Sequence, residues 1–401
     1  MKTAYIVKGY RTAVGKAPKG VFRFKRPDEL AAETIEHMMN ELPDFDKTRI
    51  DDVMVGNAMP EAEQGLNVGR LISLMGLKTD KVPGMTVNRY CSSGLETIAL
   101  AQAKIEAGMA DCIIAGGVES MSVMAMGGWR IVPNPKVGKE NPTWYWGMGL
   151  TAEAVASQFN VSREACDAFT VRSHQLAIQA IEQGLFADTI VPVQVPGSST
   201  TVKHDNTPRK NSNTEQLAGM RTIFSKSGVI TAAGSSRFTD GSAALMVTSL
   251  QAATRLGLTP LAEVVDYQLS GVNSLEQEML LGPAVSIPKL LARNGLTMND
   301  IDVWELHEAF AAQVLVNIAC MERPEFAAEY HGGKTPGELP IDKLNSWGGS
   351  LSLGNPFAAT GIRLLTTAAR RLQHEKKRYA VVSSCAGGGL GAAILLENTQ
   401  H

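Results

Sequence analysis

The stretch Asn88-Arg-Tyr-Cys-Ser-Ser-Gly-Leu-Glu96 decides how the first part of the chain folds, because a β-biased approach ends there and a helix begins. Apolar residues with helical spacing follow over residues 95–105. Residues 111–117 then form a continuous apolar run, typical of a strand covered on both faces. Strand, helix and strand in this order predict an α/β fold with a mostly parallel sheet and helices on each side.

Cys91 lies at the predicted junction between strand and helix. Unpaired backbone N–H groups and the positive end of the helix dipole stabilise a thiolate at such a place, and the thiolate is the reactive form of cysteine. Taken alone, however, a cysteine at a tight turn is better explained as a small buried thiol. Its role therefore depends on what the rest of the chain can bring to it.

Length and charge limit the classes of function. A chain of 401 residues predicts two or three packed units with ample apolar surface to bury. The 38 basic and 40 acidic side chains nearly cancel, to a formal net charge of −2. We therefore expect no nucleic acid and no membrane surface as the main partner.

Cysteine usage points to a reducing compartment. The five cysteines are odd in number, scattered, and contain no CxxC pair, which argues against a zinc framework; they are Cys91, Cys112, Cys166, Cys320 and Cys385. No apolar run is long enough to span a bilayer, and the first residues lack the pattern of a signal peptide. We expect a soluble cytoplasmic protein.

The chain divides into two α/β halves separated by a segment of different texture. Residues 4–8 predict a first strand, and residues 11–16 a loop. Residues 123–237, rich in Met, Gly, Trp and Pro and then in polar turns, predict an inserted loop (lid) domain, called the lid segment below. The predicted units are residues 1–122 plus 238–268, the lid segment, and residues 269–401, whose strands and glycine turns faintly repeat those of the first half.

Three further stretches have residues that can carry chemistry. His307-Glu-Ala-Phe-Ala311 follows a predicted strand; it begins like a zinc motif, but Ala311 stands where the second ligand would be, so we predict no metal there. Asn355 is held between Gly354 and Pro356, which is also an ordinary turn pattern. Each residue has a plain structural explanation when taken alone.

The third stretch is Cys385-Ala-Gly-Gly-Gly-Leu-Gly391. Backbone without side chains can approach a ligand closely and direct N–H groups at developing negative charge. The stretch lacks the lysine of a P-loop, and Ala392 replaces the last glycine of a dinucleotide fingerprint. A glycine-rich hairpin between two buried strands explains it equally well.

Together these motifs make the chain resemble the thiolase family, and within it the degradative 3-ketoacyl-CoA members. The resemblance runs nearly from end to end. Its motifs, in family order, are Arg11-Thr12, Asn88 to Gly94, Gly116-Gly-Val-Glu-Ser-Met121, Met148-Gly-Leu-Thr-Ala-Glu153, Ser162-Arg163, residues 231–240, the His307 motif, the Asn355 motif and Cys385-Ala-Gly387. The resemblance implies a five-layer αβαβα core of two similar halves with an inserted loop domain.

The resemblance also implies a role for each catalytic candidate. Cys91 would be the nucleophile that takes the acyl group, and Cys385 the acid/base at the acetyl-CoA carbon. His307 would hold a water that stabilises the enolate oxygen. Backbone N–H groups of Cys91 and Gly387 would form a second oxyanion hole. Both cysteine roles agree with thiol chemistry, because a thiol is a good nucleophile and leaving group and titrates near enough to neutrality to move a proton.

Coenzyme A contacts follow from the same resemblance. Ser236 and Ala232 match positions that contact pantetheine, Met148 lies beside the same tunnel, and Arg209 matches a position at the adenine end. Phe310 would line the acyl pocket. Gly147 and Gly234 stand where relatives often carry His and Asn, which are departures from the family pattern.

The main departure is Asn355, because the family has a histidine there that takes the proton from the nucleophilic cysteine. A carboxamide donates hydrogen bonds but cannot accept a proton at neutral pH. One explanation is a substitution, introduced or damaging, in an ordinary thiolase. The other is natural divergence, since Cys91, His307 and Asn355 resemble the Cys-His-Asn set of decarboxylating synthases; those enzymes have no need of Cys385, which favours the first.

We therefore predict a thiolase that cleaves 3-ketoacyl-CoA with CoA, or runs the reverse condensation, impaired by Asn355. The alternatives are a catalytically silent acyl-CoA binding protein on the same scaffold and a decarboxylating condensing enzyme. The predicted partners are CoA and acyl-CoA as substrates, with no permanently bound cofactor, no nucleic acid and no membrane insertion. A homodimer or homotetramer is expected, and a β-oxidation partner subunit is compatible with the resemblance.

Overall fold

The computed structural model describes residues 2–400. Strands and helices alternate in the first part of the chain, as the sequence predicts. The elements there are β1 (Ala4–Thr12), β2 (Gly15–Lys16), α1 (Pro27–Asn40), β3 (Asp52–Gly56), α2 (Val68–Leu77), β4 (Gly84–Val87), α3 (Ser93–Glu106) and β5 (Cys112–Ser120).

The lid segment contains helices, short strands and long loops. Its elements are α4 (Pro135–Glu140), α5 (Met148–Gln158), α6 (Arg163–Glu182), β6 (Ile190–Val191), β7 (Val193–Gln194), β8 (Thr201–Val202) and α7 (Thr214–Ala218).

Strand and helix alternation resumes after the lid segment. The remaining elements are β9 (Thr239–Ser249), α8 (Leu250–Arg255), β10 (Ala262–Gly271), α9 (Leu275–Glu278), α10 (Gly282–Arg293), β11 (Val303–Leu306), α11 (Ala311–Met321), α12 (Pro324–Tyr330), α13 (Ser350–Leu353), α14 (Ala358–His374), β12 (Tyr379–Ala386) and β13 (Leu390–Asn398).

The two halves pair their strands in the same way. In the first half β9 lies antiparallel beside β1, β5 antiparallel beside β9, and β3 parallel beside β5. In the second half β13, β12 and β11 follow β10 with the same sequence of directions. The halves join where β1 pairs antiparallel with β10. The prediction of two similar α/β halves is confirmed. The prediction of a mostly parallel sheet is wrong, because the central strands β9, β1, β10 and β13 pair antiparallel with one another.

The buried strands have two apolar faces, which explains the layers. On β5, Ile113 and Ala115 face a central cluster that includes α3 and α14 and strands of both halves. Cys112 and Ile114 face the opposite way, into a cluster with α1 and α2. A third cluster packs α10 and α11 against the second half. Helices, strands, helices, strands and helices therefore form the five layers that the sequence resemblance implied.

The loop predicted over residues 11–16 is wrong in part. Arg11 and Thr12 continue β1, where they pair with β6, and Gly15 and Lys16 form β2 beside β9. These pairings join segments far apart in sequence, so the local pattern does not indicate them.

The candidate residues lie at the ends of parallel strands. Cys91 follows β4, His307 follows β11, and Cys385 is the second-last residue of β12, just before the glycines. The carboxyl ends of neighbouring parallel strands lie on one edge of a sheet, where α/β proteins bind ligands. The fold therefore gathers residues from both halves around the central helices α3 and α14.

Candidate active site

Cys91 lies in a tight turn immediately before α3. Tyr90 has a φ of +47°, and the backbone N–H groups of Ser92 and Ser93 donate to the carbonyl oxygens of Arg89 and Tyr90, both at 3.0 Å. Ser92 is the N-cap residue, without a side-chain capping bond. The turn thus holds the Cys91 backbone at the start of the helix, one residue before its cap.

The surroundings of the Cys91 thiol favour its neutral form. The half-buried side chain packs against Ala58, Met121 and Phe357. Burial raises the pKa of the Cys91 thiol to about 12, and the negative charge of Glu119 adds to this shift. Burial and the charge of Glu119 thus outweigh the stabilisation of a thiolate expected from the helix terminus, and Cys91 needs a base to become a nucleophile.

Glu119 is the buried carboxylate that acts on this thiol. Backbone and side-chain N–H groups converge on it, from Asn57 Nδ2 (3.2 Å), Ala58 N (2.9 Å), Met59 N (3.2 Å), Gln64 Nε2 (2.8 Å) and Ala358 N (3.4 Å). Burial raises the pKa of Glu119 to about 7, while these donors act in the opposite direction. The carboxylate ties the loop after β3 to the first residue of α14, on both sides of Cys91.

Cys385 lies beside the Cys91 turn because the residue before Cys385 contacts the residue after Cys91. The Ser92 hydroxyl donates to the Ser384 carbonyl oxygen at 3.3 Å. Cys385 is fully buried on β12, opposite Gly391 of β13. Burial raises the pKa of the Cys385 thiol, and the proximity of Cys91 raises it further. Both thiols are therefore neutral at rest.

The glycine turn between β12 and β13 lies against the same place. Gly388 and Gly389 have φ values of +76° and +70°, which glycine adopts without strain. A Cβ atom added at Gly387 would lie 3.7 Å from the Tyr90 ring and 3.8 Å from the Met148 sulfur. The backbone of Gly387 is thus close to the Cys91 turn and to the first residue of α5.

His307 lies at the end of β11, where its N–H donates to the Ser383 carbonyl oxygen at 2.9 Å. Its Nδ1 atom is 2.8 Å from the Ser350 hydroxyl. Burial, together with the charge of Arg363, lowers the pKa of His307 to about 3, so the ring is neutral. The buried Nε2 atom has no protein partner among residues 2–400.

Asn355 is buried and anchored through backbone and side chain. Its N–H donates to the Arg237 carbonyl oxygen at 3.1 Å, and Gly354 before it has a φ of +94°. Its Nδ2 donates to the Ser236 hydroxyl at 3.2 Å, and its Oδ1 accepts from the Thr360 hydroxyl at 2.8 Å. The carboxamide is thus fixed in one orientation, but it cannot accept a proton.

Three of the residues predicted to contact the substrate lie near the cysteines and His307: Ser236, Phe310 and Met148. The Ser236 N–H donates to the Ala309 carbonyl oxygen at 2.8 Å, which joins the lid segment to the His307 motif. Phe310 and Met148 pack in the apolar cluster that contains Cys385. Phe310 also meets the Phe224 ring edge to face, with centroids 6.2 Å apart.

The other two predicted CoA contacts lie farther out. Arg209 is exposed, and its backbone N–H donates to His174 Nδ1 at 3.1 Å. Ala232 is exposed on the lid segment. Within the described part of the chain, no hydrogen bond or ion pair joins either residue to the cysteines.

Sequence reasoning missed three polar residues of this region: Glu119, Ser350 and Arg363. Each is buried and contacts a candidate or its support. A signal was present for Glu119, because a carboxylate inside an otherwise apolar strand is uncommon. Ser350 and Arg363 gave none, since their partners are distant in sequence.

Residues 2–400 contain neither a candidate metal cluster nor a candidate membrane-spanning helix. That part of the chain contains no group of three or more His, Cys, Asp or Glu side chains that could hold a metal ion. None of its helices is long and apolar enough to cross a membrane.

Comparison with known proteins identifies similar chains. Two family models match, described as "Thiolase, N-terminal domain" over residues 4–251 and "Thiolase, C-terminal domain" over residues 258–398. The 3-ketoacyl-CoA thiolase of Bacillus subtilis is 40% identical over 412 residues, covering 99% of this chain and all of the relative. The mitochondrial trifunctional enzyme subunit beta of Bos taurus is 36% identical, covering 92% of this chain and 83% of the relative.

A solved structure is similar over almost the whole chain. The crystal structure of human mitochondrial 3-ketoacyl-CoA thiolase in complex with CoA aligns with a TM-score of 0.85 and 28% sequence identity. The alignment covers 99% of this chain and 98% of the human chain. The likeness therefore includes both halves and the lid segment.

Proposed function

The chain belongs to the thiolase family and is an acyltransferase that uses CoA thioesters, and from this premise we propose that it cleaves 3-ketoacyl-CoA with CoA. The products are acetyl-CoA and an acyl-CoA shortened by one acetyl group, and the reverse condensation uses the same groups. The observation that carries the proposal is the hydrogen bond from Ser92 to Ser384, which brings the Cys91 turn beside Cys385.

In the first half-reaction the Cys91 thiol loses its proton to solvent, because the Asn355 carboxamide cannot take it, and the sulfur attacks the ketone carbon of the substrate. The bond between that carbon and the neighbouring CH₂ carbon breaks, and its electron pair passes to the acetyl-CoA fragment as an enolate. The Cys385 thiol protonates the enolate carbon and becomes a thiolate, leaving the acyl group on Cys91.

In the second half-reaction CoA takes the acyl group from Cys91. The Cys385 thiolate removes the proton of the CoA thiol, and the CoA sulfur attacks the thioester carbon. The bond to Cys91 breaks, acyl-CoA leaves, and the Cys91 thiolate regains from solvent the proton it lost at the start. Both cysteines thus return to their starting forms.

Two donor sets stabilise the oxyanions in this scheme. The N–H groups of Cys91 and Gly387 face the oxygen of the acyl-cysteine, and His307 serves the enolate oxygen directly or through a water. Preorganised donors of this kind contribute strongly because the site is buried and they need no reorganisation during the reaction. Burial and the charge of Arg363 lower the pKa of His307 to about 3, which makes the ring a poor base and supports its assignment as a hydrogen-bond donor.

Asn355 leaves the proposed mechanism without a side-chain base for Cys91. Since the Cys91 thiol has its pKa raised to about 12, attack requires a base, and the Asn355 carboxamide is not one. Losing a general base costs on the order of 10²- to 10⁴-fold in rate. We therefore expect slow acylation, while the enolate step with Cys385 and His307 is retained.

Around the reacting groups we propose that Met148, Ala232 and Ser236 contact the pantetheine arm, Arg209 the adenine end, and Phe310 the acyl group. The contact between Ser236 and the His307 motif supports the first part of this assignment. CoA thioesters are substrates, and no permanently bound cofactor is part of the scheme.

At the level of the molecule we propose units of residues 1–122 plus 238–268, 123–237 and 269–401, and a homodimer or homotetramer. A β-oxidation partner subunit is proposed from the bovine relative, which is named as a subunit of a trifunctional enzyme. A cytoplasmic location stays a prediction, supported by five cysteines that are all free.

Intact-mass measurement after incubation with acetyl-CoA tests the mechanism. We expect one acetyl group per chain, lost in the variant Cys91→Ser and retained in Cys112→Ser, which removes a buried thiol remote from the turn. An acetyl group that persists in Cys91→Ser would contradict the proposal.

A silent acyl-CoA binding protein is the second candidate, and the carboxamide at position 355 favours it. It predicts binding of acetyl-CoA without any covalent adduct, even after long incubation. The third alternative, decarboxylative condensation, predicts release of carbon dioxide from malonyl-CoA, which a thiolase would not cause.

A further inference from the structure

A buried chain of hydrogen bonds lies behind His307. The Ser350 hydroxyl, at the start of α13, is 2.8 Å from His307 Nδ1. The Nη2 atom of Arg363, on α14, donates to the same hydroxyl oxygen at 2.8 Å. All three side chains are almost completely buried, at 0 to 2% exposure. Water therefore has little access to this line of contacts from the surface.

The direction of each proton in this chain follows from the chemistry of the groups. A guanidinium only donates, so the Ser350 oxygen accepts from Arg363. The hydroxyl has one hydrogen to give, and His307 Nδ1 is the acceptor that the described residues offer it. A neutral imidazole that accepts at Nδ1 carries its proton at Nε2.

The opposite tautomer is disfavoured by the same contacts. It would direct the Nδ1–H and the Arg363 N–H at one hydroxyl oxygen and leave the buried hydroxyl hydrogen without an acceptor. The protonated ring is disfavoured as well, because it would lie near the Arg363 cation.

Neighbouring carboxylates stabilise the Arg363 cation, but Arg363 is still the charge that acts on the His307 ring. Glu305 is paired with Arg371 at 2.8 Å, and Glu308 accepts from Ser173, Asn345 and the Leu351 N–H. Neither carboxylate has a hydrogen bond to the His307 ring among residues 2–400. His307 is thus left with a single favoured state.

We propose that Ser350 and Arg363 are positioning residues that fix His307 as the neutral Nε2–H tautomer, so that Nε2 presents a hydrogen-bond donor to the enolate oxygen or to a water that holds it. The catalytic consequence rests on the proposed function, whereas the tautomer itself does not. The buried Nε2 atom, which has no protein partner in the described part of the chain, is the donor in question.

The tautomer is tested by nitrogen NMR of the full chain labelled with ¹⁵N-histidine, with the His307 signals assigned by their loss in His307→Gln. We expect Nε2 to be protonated and Nδ1 to be an unprotonated acceptor. In Ser350→Ala we expect a mixture of both tautomers. The signals of the other histidines report whether that variant is folded. A protonated Nδ1 in the unaltered chain, or a pure Nε2–H form in Ser350→Ala, would overturn the proposal.

The catalytic consequence is tested by exchange of the acetyl-CoA methyl hydrogens with deuterium from solvent, which reports enolate formation. We expect Ser350→Ala to slow exchange by about tenfold. Complete loss of a preorganised oxyanion donor costs on the order of 10²- to 10³-fold, and in this variant the Nε2–H donor is only partly lost. Ser350→Thr, which keeps the hydroxyl, should restore most of the rate.

Ser352→Ala is the matched control, because it removes a buried hydroxyl of α13 that donates to the Gly349 carbonyl oxygen and not to His307. An equal loss in Ser352→Ala would show a general structural effect and overturn the positioning role. If the unaltered chain shows no exchange at all, the proposed function fails, and the NMR measurement alone decides the tautomer.

Discussion

Asn355 is held in place through its backbone N–H and through both ends of its carboxamide. We expect Asn355→His to raise the rate of 3-ketoacyl-CoA thiolysis on the order of 10²- to 10⁴-fold, because an imidazole can take the Cys91 proton. The measurement is the thiolysis rate of both chains at several substrate concentrations.

Asn355→Gln is the control for this comparison. Asn355→Gln keeps the carboxamide and changes only its reach, so it should give no gain. A gain of less than about tenfold for Asn355→His would contradict the account of Asn355, since a missing base should cost at least about 10²-fold.

The charge of Glu119 influences the reactivity of the Cys91 thiol. Its negative charge raises the pKa of the Cys91 thiol, so Glu119→Gln should lower that pKa and increase the thiolate fraction at any pH below the titration. We therefore expect the rise of Cys91 alkylation by iodoacetamide with pH to shift to lower pH. Peptide mass spectrometry identifies the alkylated cysteine.

A control for this shift is Glu96→Gln. That carboxylate is on α3, close to Cys91 in sequence, but it is paired with Arg89 at 2.7 Å. Neutralising it should leave the alkylation profile of Cys91 in place. A shift of equal size in both variants would show that the effect is not specific to Glu119.

For Cys91, local sequence patterns predict the position of the residue but not the pKa of its thiol. The strand-to-helix position of Cys91 could be predicted, because the change from β-biased residues to helical spacing is local. Its raised pKa could not, because burial comes from Ala58, Met121 and Phe357, which lie far from Cys91 in the chain. A favourable helix terminus is outweighed by the loss of water around the thiol.

Among the elements, α3 and α14 approach each other closely at the site. A Cβ atom added at Gly94 would lie 2.5 Å from the Ala358 carbonyl oxygen, too near for the helices to stay in place. We expect Gly94→Ala to lower stability by about 1–3 kcal/mol, the usual cost of overpacking. It should also slow thiolysis, because α14 begins shortly after Asn355. Thermal unfolding and the thiolysis rate measure the two effects.

Gly138→Ala provides the matched control for that substitution. Gly138 is an exposed residue of α4, and an added Cβ atom would meet nothing within 4 Å. Alanine is a better helix former than glycine by about 1 kcal/mol, so this variant should be as stable as the unaltered chain or more stable. A loss of stability in Gly138→Ala similar to that in Gly94→Ala would refute the packing argument.

Elements with strong local patterns could be predicted from the sequence, and elements made by distant partners could not. The apolar run of β5 and the helical spacing of α3 are visible locally, since each residue pattern has the period of its element. The two-residue strand β2 exists only because β9 lies beside it. The contact of Ser350 with His307 likewise depends on α13 folding back onto β11.

In the whole molecule, the repeated strand order of the two halves explains how one site draws on both. The first half supplies Cys91 and the second supplies His307, Asn355 and Cys385, around the central pair of helices. The sequence only suggests the repeat, through glycines that follow comparable strands. The directions of strand pairing show the repeat clearly. The sequence could not show it, because neighbouring strands are far apart in the chain and no local pattern records their pairing.

The lid segment is tied to the first half by a buried ion pair, which gives a prediction for the whole molecule. Both guanidinium NH₂ groups of Arg11 donate to the Asp205 carboxylate, at 2.8 and 2.7 Å, and the Val14 N–H donates to the same carboxylate at 2.9 Å. Asp205→Ala would leave the Arg11 cation buried without its partner. We expect a loss of about 3–5 kcal/mol in the free energy of unfolding, measured by urea denaturation, together with faster proteolysis within residues 195–215.

The exposed ion pair between Lys210 and Glu182 separates this effect from a general loss of charge in the lid segment. Its side chains are 71% and 59% exposed, so Lys210→Ala should cost no more than about 1 kcal/mol and leave proteolysis unchanged. Asp205→Asn keeps an acceptor for Val14 and should fall between the two variants. If Asp205→Ala proves no more costly than Lys210→Ala, the Arg11 ion pair does not hold the lid segment, and the lid must be held by its apolar contacts with α11 and the second half instead.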